Sequence, residues 1–154
     1  MTRTPPARLE RTNYPYLVPV LARYADVDPL WHINNVAIAQ YLEETRVSML
    51  RTILGFERID RYDSRFVLAH VSIDFLREGR YPGAFEVGAA IKKVGRTSTT
   101  VGLGLFQDDD CIALSDAVLV RVDAGGPTEW TSDERKVLDD VVWHLRSATS
   151  GVAT

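Results

Sequence analysis

Between residues 26 and 46 the chain reads Asp-Val-Asp-Pro-Leu-Trp-His-Ile-Asn-Asn-Val-Ala-Ile-Ala-Gln-Tyr-Leu-Glu-Glu-Thr-Arg, and its first ten positions hold two carboxylates, a histidine and two asparagines. The pattern ends a strand, turns sharply and starts a helix. A carboxylate beside the unpaired amides of a helix start is able to cleave an activated carbonyl, because the amides stabilise the oxyanion while the carboxylate attacks or aligns a water. Asp28 is the candidate. Pro29 after it removes one backbone donor and fixes the chain at the strand exit. The positive end of the helix dipole favours a charged carboxylate, which suits attack or water alignment better than proton donation. The plainer use of Asp28 is to cap the helix or a turn.

His32 follows by four residues, so one helical turn brings it to Asp28, where an imidazole orients substrate or carries the leaving group's proton. Its plainer role is to satisfy backbone groups at the turn. Asn34 and Asn35 are first of all helix caps, and the amides after them are placed to receive a carbonyl oxygen. Asp26 reads as structural, bound to a turn amide or to Arg23 or Arg46. Glu43 shares a helix face with Ala39 and Val47; it either pairs with Arg46 three residues on or, if that face lines a pocket, supplies a second carboxylate. Arg96, in a hairpin, is a candidate for binding phosphates. His70 reads as a packed strand residue and His144 as part of a solvated helix face. Both are left out of the site.

These groups need a scaffold. Tyr16 to Ala25 is apolar enough for a strand, and Pro19 within it suggests an edge or an irregular start. Ile38, Leu42, Thr45, Met49 and Ile53 step by four or three from the Asn34 or Asn35 cap to a stop at Gly55. A second line through Val36, Ala39, Val47 and Leu50 widens the apolar surface, so the helix should be wrapped on most sides. After the charged loop Glu57 to Arg65 come four strand-like segments, Phe66 to Arg77, Phe85 to Val94, Thr97 to Gln107 and Cys111 to Asp123, with clear alternation in Val67, Ala69, Val71, Ile73 and Phe75. Gly95-Arg96 and Asp108-Asp109-Asp110 read as hairpin connections. Gly102 and Gly104 lie on one strand face, where missing side chains allow bending or close approach of the helix. Thr131-Ser132-Asp133-Glu134 opens a C-terminal helix to about Leu145. The fold class is α+β, with about five antiparallel strands curled around one long central helix.

Residues 1 to 14, with Pro5 and Pro6, read as a flexible tail; the domain is 15 to 147, and 148 to 154 form a second tail. At 154 residues, 45% hydrophobic and 25% charged, the chain has ordinary globular statistics. A net charge of −3 with scattered arginines argues against nucleic acid as a partner. No apolar run of about 18 residues or signal-peptide core is present, which gives a cytoplasmic default and no membrane partner. Cys111 is the single cysteine, so it forms no internal disulfide or cysteine metal cluster and reads as a strand-start residue.

Asp26-Val27-Asp28, His32-Ile33-Asn34-Asn35 and Glu43-Glu44-Thr45-Arg46 carry a resemblance to the hotdog-fold acyl-CoA thioesterases of the 4-hydroxybenzoyl-CoA thioesterase type. His70-Val71-Ser72-Ile73-Asp74-Phe75, Val94-Gly95-Arg96-Thr97-Ser98 and Ala117-Val118-Leu119-Val120 support it. The resemblance implies a hotdog fold, a catalytic Asp28, His32-Ile33-Asn34-Asn35 as the family's His-Val-Asn-Asn segment, and Glu43 as its helix acidic residue. It also implies a homodimer or homotetramer with sites at the subunit interface. Trp31 stands where many relatives have Gly and Ile38 where many have Tyr, so the indole either fills part of an acyl pocket or re-aims the loop.

The expected activity is hydrolysis of an acyl-CoA to free acid and coenzyme A, with no metal or other cofactor. Asp28, with His32 or Glu43 in support, carries the chemistry, and Trp31, Asn34, Asn35 and Arg96 contact substrate. Hydration of an enoyl thioester, with Asp28 and His32 as base and acid, is the alternative enzyme. A noncatalytic acyl-binding module follows if Trp31 blocks the helix start. A phosphatase reading of Asp-x-Asp is poorer, since Pro29-Leu30 lacks the hydroxyl expected there. The preferred reading requires Asp28 and the first helix amides to face a common cavity.

Overall fold

The computed structural model describes residues 4–55 and 65–143. Most of the charged loop after Gly55, His144 and the 148–154 tail lie outside the described residues. The elements are β1 (Tyr16–Leu21), α1 (Asn35–Leu54), β2 (Arg65–Phe75), β3 (Ala84–Val94), β4 (Ser98–Gln107), β5 (Asp110–Asp123), the short β6 (Gly126–Pro127) and α2 (Ser132–Asp140). The strands pair antiparallel in the order β1-β3-β4-β5-β2, with β6 on the end of β5. This is the hotdog arrangement, a curled sheet around α1.

β1 ends at Leu21, short of the expected Ala25, because Tyr24–Asp26 folds into a 3₁₀ turn. The β4–β5 connection is tighter than the sequence suggested: Asp110 already belongs to β5, and Asp108 takes the left-handed backbone (φ 55) that a two-residue turn demands. β1 is a sheet edge, as Pro19 indicated, since the missing N–H weakens a strand as a pairing surface. β2 forms the other edge, without proline, and Val67, Leu68, His70, Val71 and Phe75 along it are exposed. The expectation that His70 is packed is therefore corrected, because a terminal strand has a neighbour on one side only.

α1 begins at Asn34, whose Oδ1 accepts from the Val36 amide at 2.8 Å, and ends on Gly55, left-handed at φ 71. Ile38, Leu42, Met49 and Leu50 are buried against Val87, Ala89, Ile91, Val101, Leu103 and Leu105 on the concave side of the sheet. The wrapping is one-sided. Val36, Gln40, Glu43, Val47 and Arg51 form an exposed stripe along α1, so two of the valines expected in the core face outwards.

The convex side of the sheet holds the largest departure from the sequence reading. Residues 5 to 14 are packed rather than loose: Arg8 and Tyr14 are buried, and Trp143 stacks on Tyr14 with ring centroids 4.7 Å apart. Arg8 Nη2 donates to the Ser115 carbonyl at 2.9 Å and meets Asp116 Oδ1 at 3.0 Å, while Tyr14 Oη donates to the Arg8 carbonyl. Gly88 and Gly104, opposite each other on β3 and β4, make the groove for the Tyr14 ring. The glycines thus admit the N-terminal segment, not the helix. A Cβ on Gly88 would overlap that ring. Gly88→Ala is expected to cost about 1–3 kcal/mol and expose residues 4 to 14 to protease. Equal melting temperature and equal cleavage rate in variant and wild type would refute that account.

Trp143 donates its backbone amide to the Ile91 carbonyl at 2.6 Å, on a stretch of β3 beyond the reach of β1. The chain leaves α2 for this contact, so the helix stops at Asp140 rather than near Leu145. Its start follows the sequence: Thr131 Oγ1 accepts from the Glu134 amide, and Glu134 Oε2 accepts from the Thr131 amide. Cys111 is buried near the start of β5, and burial pushes its thiol up to about 11, which keeps it protonated and inert.

Candidate active site

Asp26 anchors the turn that carries the site. Its Oδ1 accepts from Arg23 Nη2 at 2.7 Å, and its Oδ2 accepts from the Arg23 amide at 2.9 Å and from the Tyr41 hydroxyl at 2.6 Å. Those donors hold the carboxyl down at about 2, with the Arg23 hydrogen bonds as the main cause. The Asp26 carbonyl accepts from the Asn34 amide at 2.8 Å, so the same residue ties the strand exit to the helix start. Of the arginines the sequence offered as its partner, the structure selects Arg23.

From Asp26 to Asn34 the backbone doubles back. Val27 bridges Ile33, the Asp28 amide donates to the His32 carbonyl at 2.8 Å, and the Trp31 amide donates to the Asp28 carbonyl at 3.0 Å. Inside this turn Asp28 Oδ1 accepts from the amides of Leu30 at 2.8 Å and His32 at 3.0 Å. The turn therefore occupies one carboxylate oxygen. Oδ2 has no hydrogen-bond partner among the described residues, so Asp28 shapes the turn with one oxygen and leaves the other free.

Trp31 completes the turn in the left-handed region, with φ 66. A bulky residue is strained there and glycine is not. The indole is 59% exposed and rests edge-on against Tyr24, ring centroids 6.1 Å apart. It is not among the residues lining the cavity beside Asp28.

That cavity, about 320 Å³, is lined by Asp28, His32, Asn35 and Ile38 from the turn and helix start, and by Phe75 to Gly79 from the end of β2 and the loop after it. Asp28 and the beginning of α1 share it, the arrangement the chemistry requires. Asn34 serves as the cap through its side chain, and among the described residues the amides of Asn35 and Ala37 have no hydrogen-bond acceptor. The sequence reading missed Glu78. Its Oε2 lies 3.0 Å from His32 Nε2.

Two candidates stand apart. Glu43 is on the exposed stripe of α1, 3.4 Å from the buried Arg46, and does not line the cavity. The bland reading of an i,i+3 pair describes it within one chain, and burial of Arg46 lowers the guanidinium's affinity for its proton. Arg96 pairs with Glu129 at 3.2 Å at the far end of β3, whose 11 residues span about 35 Å. Among the described residues no three His, Cys, Asp or Glu side chains form a metal-ligand group.

An antiparallel sheet curled on a long helix, with an acidic turn delivering a carboxylate to the helix start, defines the hotdog class of enzyme. The profile of the thioesterase superfamily matches residues 31–112, a stretch that contains His32, the asparagines and Glu78 and begins just after Asp28. The chain belongs to the thioesterase superfamily, whose reaction is thioester hydrolysis. The uncharacterized protein YsmA of Bacillus subtilis strain 168 is 24% identical over 131 residues, covering 83% of this chain and 88% of that one. A predicted thioesterase from Bacillus stearothermophilus has the same fold at 21% identity and a TM-score of 0.76, over 84% of this chain and 97% of that one. A thioesterase from Thermus thermophilus, solved in complex with coenzyme A and Zn, is 26% identical with a TM-score of 0.71, over 81% of this chain and 98% of that one. Among the described residues no helix is long and apolar enough to cross a membrane.

Proposed function

We propose that the chain hydrolyses an acyl-CoA thioester to free acid and coenzyme A, with Asp28 as the carboxylate that attacks the carbonyl or takes the proton of the attacking water. The observation that carries this is the single cavity lined by Asp28, His32 and Asn35 at the start of α1. As the bond to the carbonyl carbon forms, negative charge moves to the carbonyl oxygen, and amides at the helix start stabilise it. When the C–S bond breaks, the thiolate needs a proton, and His32 is the cavity residue suited to deliver it. The coenzyme A complex of the Thermus relative supports the choice of carrier. The test is thiol release over short, long and aromatic acyl-CoAs, alongside loss of enoyl absorbance with an enoyl-CoA. Absorbance loss without thiol release would replace hydrolysis with hydration.

The active unit is proposed to be a homodimer joined through β2. That edge has no proline, its apolar residues are exposed, and α1 leaves Val36 and Val47 uncovered. Two-fold antiparallel pairing of β2 edges sets the hairpin end of one protomer beside the cavity end of the other, which is how Arg96 would reach the phosphates of a bound coenzyme A. Sedimentation should give about twice 17.3 kDa, falling to the monomer mass in Val71→Lys. A wild-type monomer at tens of micromolar would remove the dimer from this account.

A further inference from the structure

We propose that Glu78 is a positioning residue for His32, supplying the counter-charge that steadies the imidazole while it carries the proton from the attacking water to the departing sulfur; this rests on the hydrolase reading above. The pair is built by the backbone. The Ile33 amide donates to the Gly79 carbonyl at 2.8 Å, and His32 bridges Arg80, so residues 32–33 and 79–80 form a small antiparallel ladder. That ladder sets Glu78 Oε2 3.0 Å from His32 Nε2 although the glutamate is 66% exposed. An exposed ion pair formed by two free side chains is worth little, but here the chain on both sides is fixed, so less freedom is lost in holding the contact.

With Nε2 within 3.0 Å of the Glu78 carboxylate, Nδ1 in this proposal has the task of exchanging a proton with the reacting atoms. The proton leaves water as the C–O bond forms, passes to the imidazole directly or through Asp28, and ends on sulfur as the C–S bond breaks. Between those events the ring is a cation. A carboxylate beside it lowers the energy of that state without touching substrate. The second strand of the ladder belongs to the loop after β2, so this loop is part of the catalytic apparatus and not merely the wall of the cavity.

The experiment compares two thioesters of one acyl group, the coenzyme A ester and a 4-nitrothiophenyl ester, whose acidic thiol departs without protonation. Glu78→Gln is expected to lower kcat for the coenzyme A ester about 10- to 100-fold, with KM within about threefold, and to slow the nitrothiophenyl ester less, because that ester needs the imidazole only for the proton of the attacking water. Glu78→Asp should recover part of the loss, and Glu78→Gln should add nothing to His32→Gln. Equal slowing of both esters, or an unaffected coenzyme A ester, overturns the assignment. The ratio between esters is read within one variant. A failure of the Asp28 reading, in which Asp28→Asn keeps its rate, is therefore seen separately from a failure here.

Discussion

Asp28→Asn should reduce kcat for thiol release about 10²- to 10⁴-fold while the protein stays folded. The expectation of an intact fold comes from the division of labour between the two carboxylate oxygens. Oδ1 accepts from the amides of Leu30 and His32, and an asparagine carbonyl in the same place accepts from both. What asparagine cannot supply is the charge and the free second oxygen, replaced by an NH2 group that neither attacks a carbonyl nor takes a proton. Asp28→Ala is the contrasting variant, since it strips the turn of its acceptor and leaves two amides without their partner. Asp28→Asn with an unchanged thermal transition and wild-type turnover would move the chemistry away from this residue altogether. A loss of folding in Asp28→Asn would show that the charge, and not the acceptor geometry, holds the turn.

Asp26 should produce the largest change in stability. Asp26→Ala removes the acceptor of Arg23 and Tyr41 at once, and breaking a buried charged pair costs about 3–5 kcal/mol. The side chain of Arg23 is 69% exposed and recovers solvation when its partner goes, so the lower end of that range, about 3 kcal/mol, is expected. Urea unfolding at pH 7 measures it. The same contacts fix a pH dependence. The folded carboxyl sits at about 2, below its ordinary value of 3.8, so its stabilising contribution is complete above that ordinary value and is lost as pH falls through the folded one. About 2 kcal/mol should disappear between roughly pH 5 and pH 1, and this part of the acid slope should be missing in Asp26→Asn. Parallel slopes for wild type and Asp26→Asn would mean that Asp26 does not titrate as the Arg23 and Tyr41 contacts require. Asp26→Ala keeps the backbone carbonyl that holds the Asn34 amide but loses the side-chain contacts with Arg23 and Tyr41 that fix this residue, so the turn presenting Asp28 should loosen.

The sequence by itself determined the period of the strands and the hairpins that join β3, β4 and β5, the helix between Asn34 and Gly55, the capping box at Thr131 and Glu134, an edge as one reading of Pro19 in β1, and the residues that gather at the helix start. Each is decided within a few residues, by alternation, by a side chain reaching an amide two or three positions away, or by a ring that lacks an N–H. The one-sided burial of α1 was not legible there, because Val36 and Val47 look the same whether a sheet or a second surface faces them. Tertiary structure alone decided that Gly88 and Gly104 receive Tyr14, that Glu78 meets His32, and that Glu43 and Arg96 lie away from the cavity. These outcomes depend on sheet curvature and on pairing between segments far apart in the chain, where local pattern carries no information about which side chain arrives. Asp28 shows both levels: its residue type and place were readable, whereas the use of one oxygen in the turn and the freedom of the other required the folded backbone.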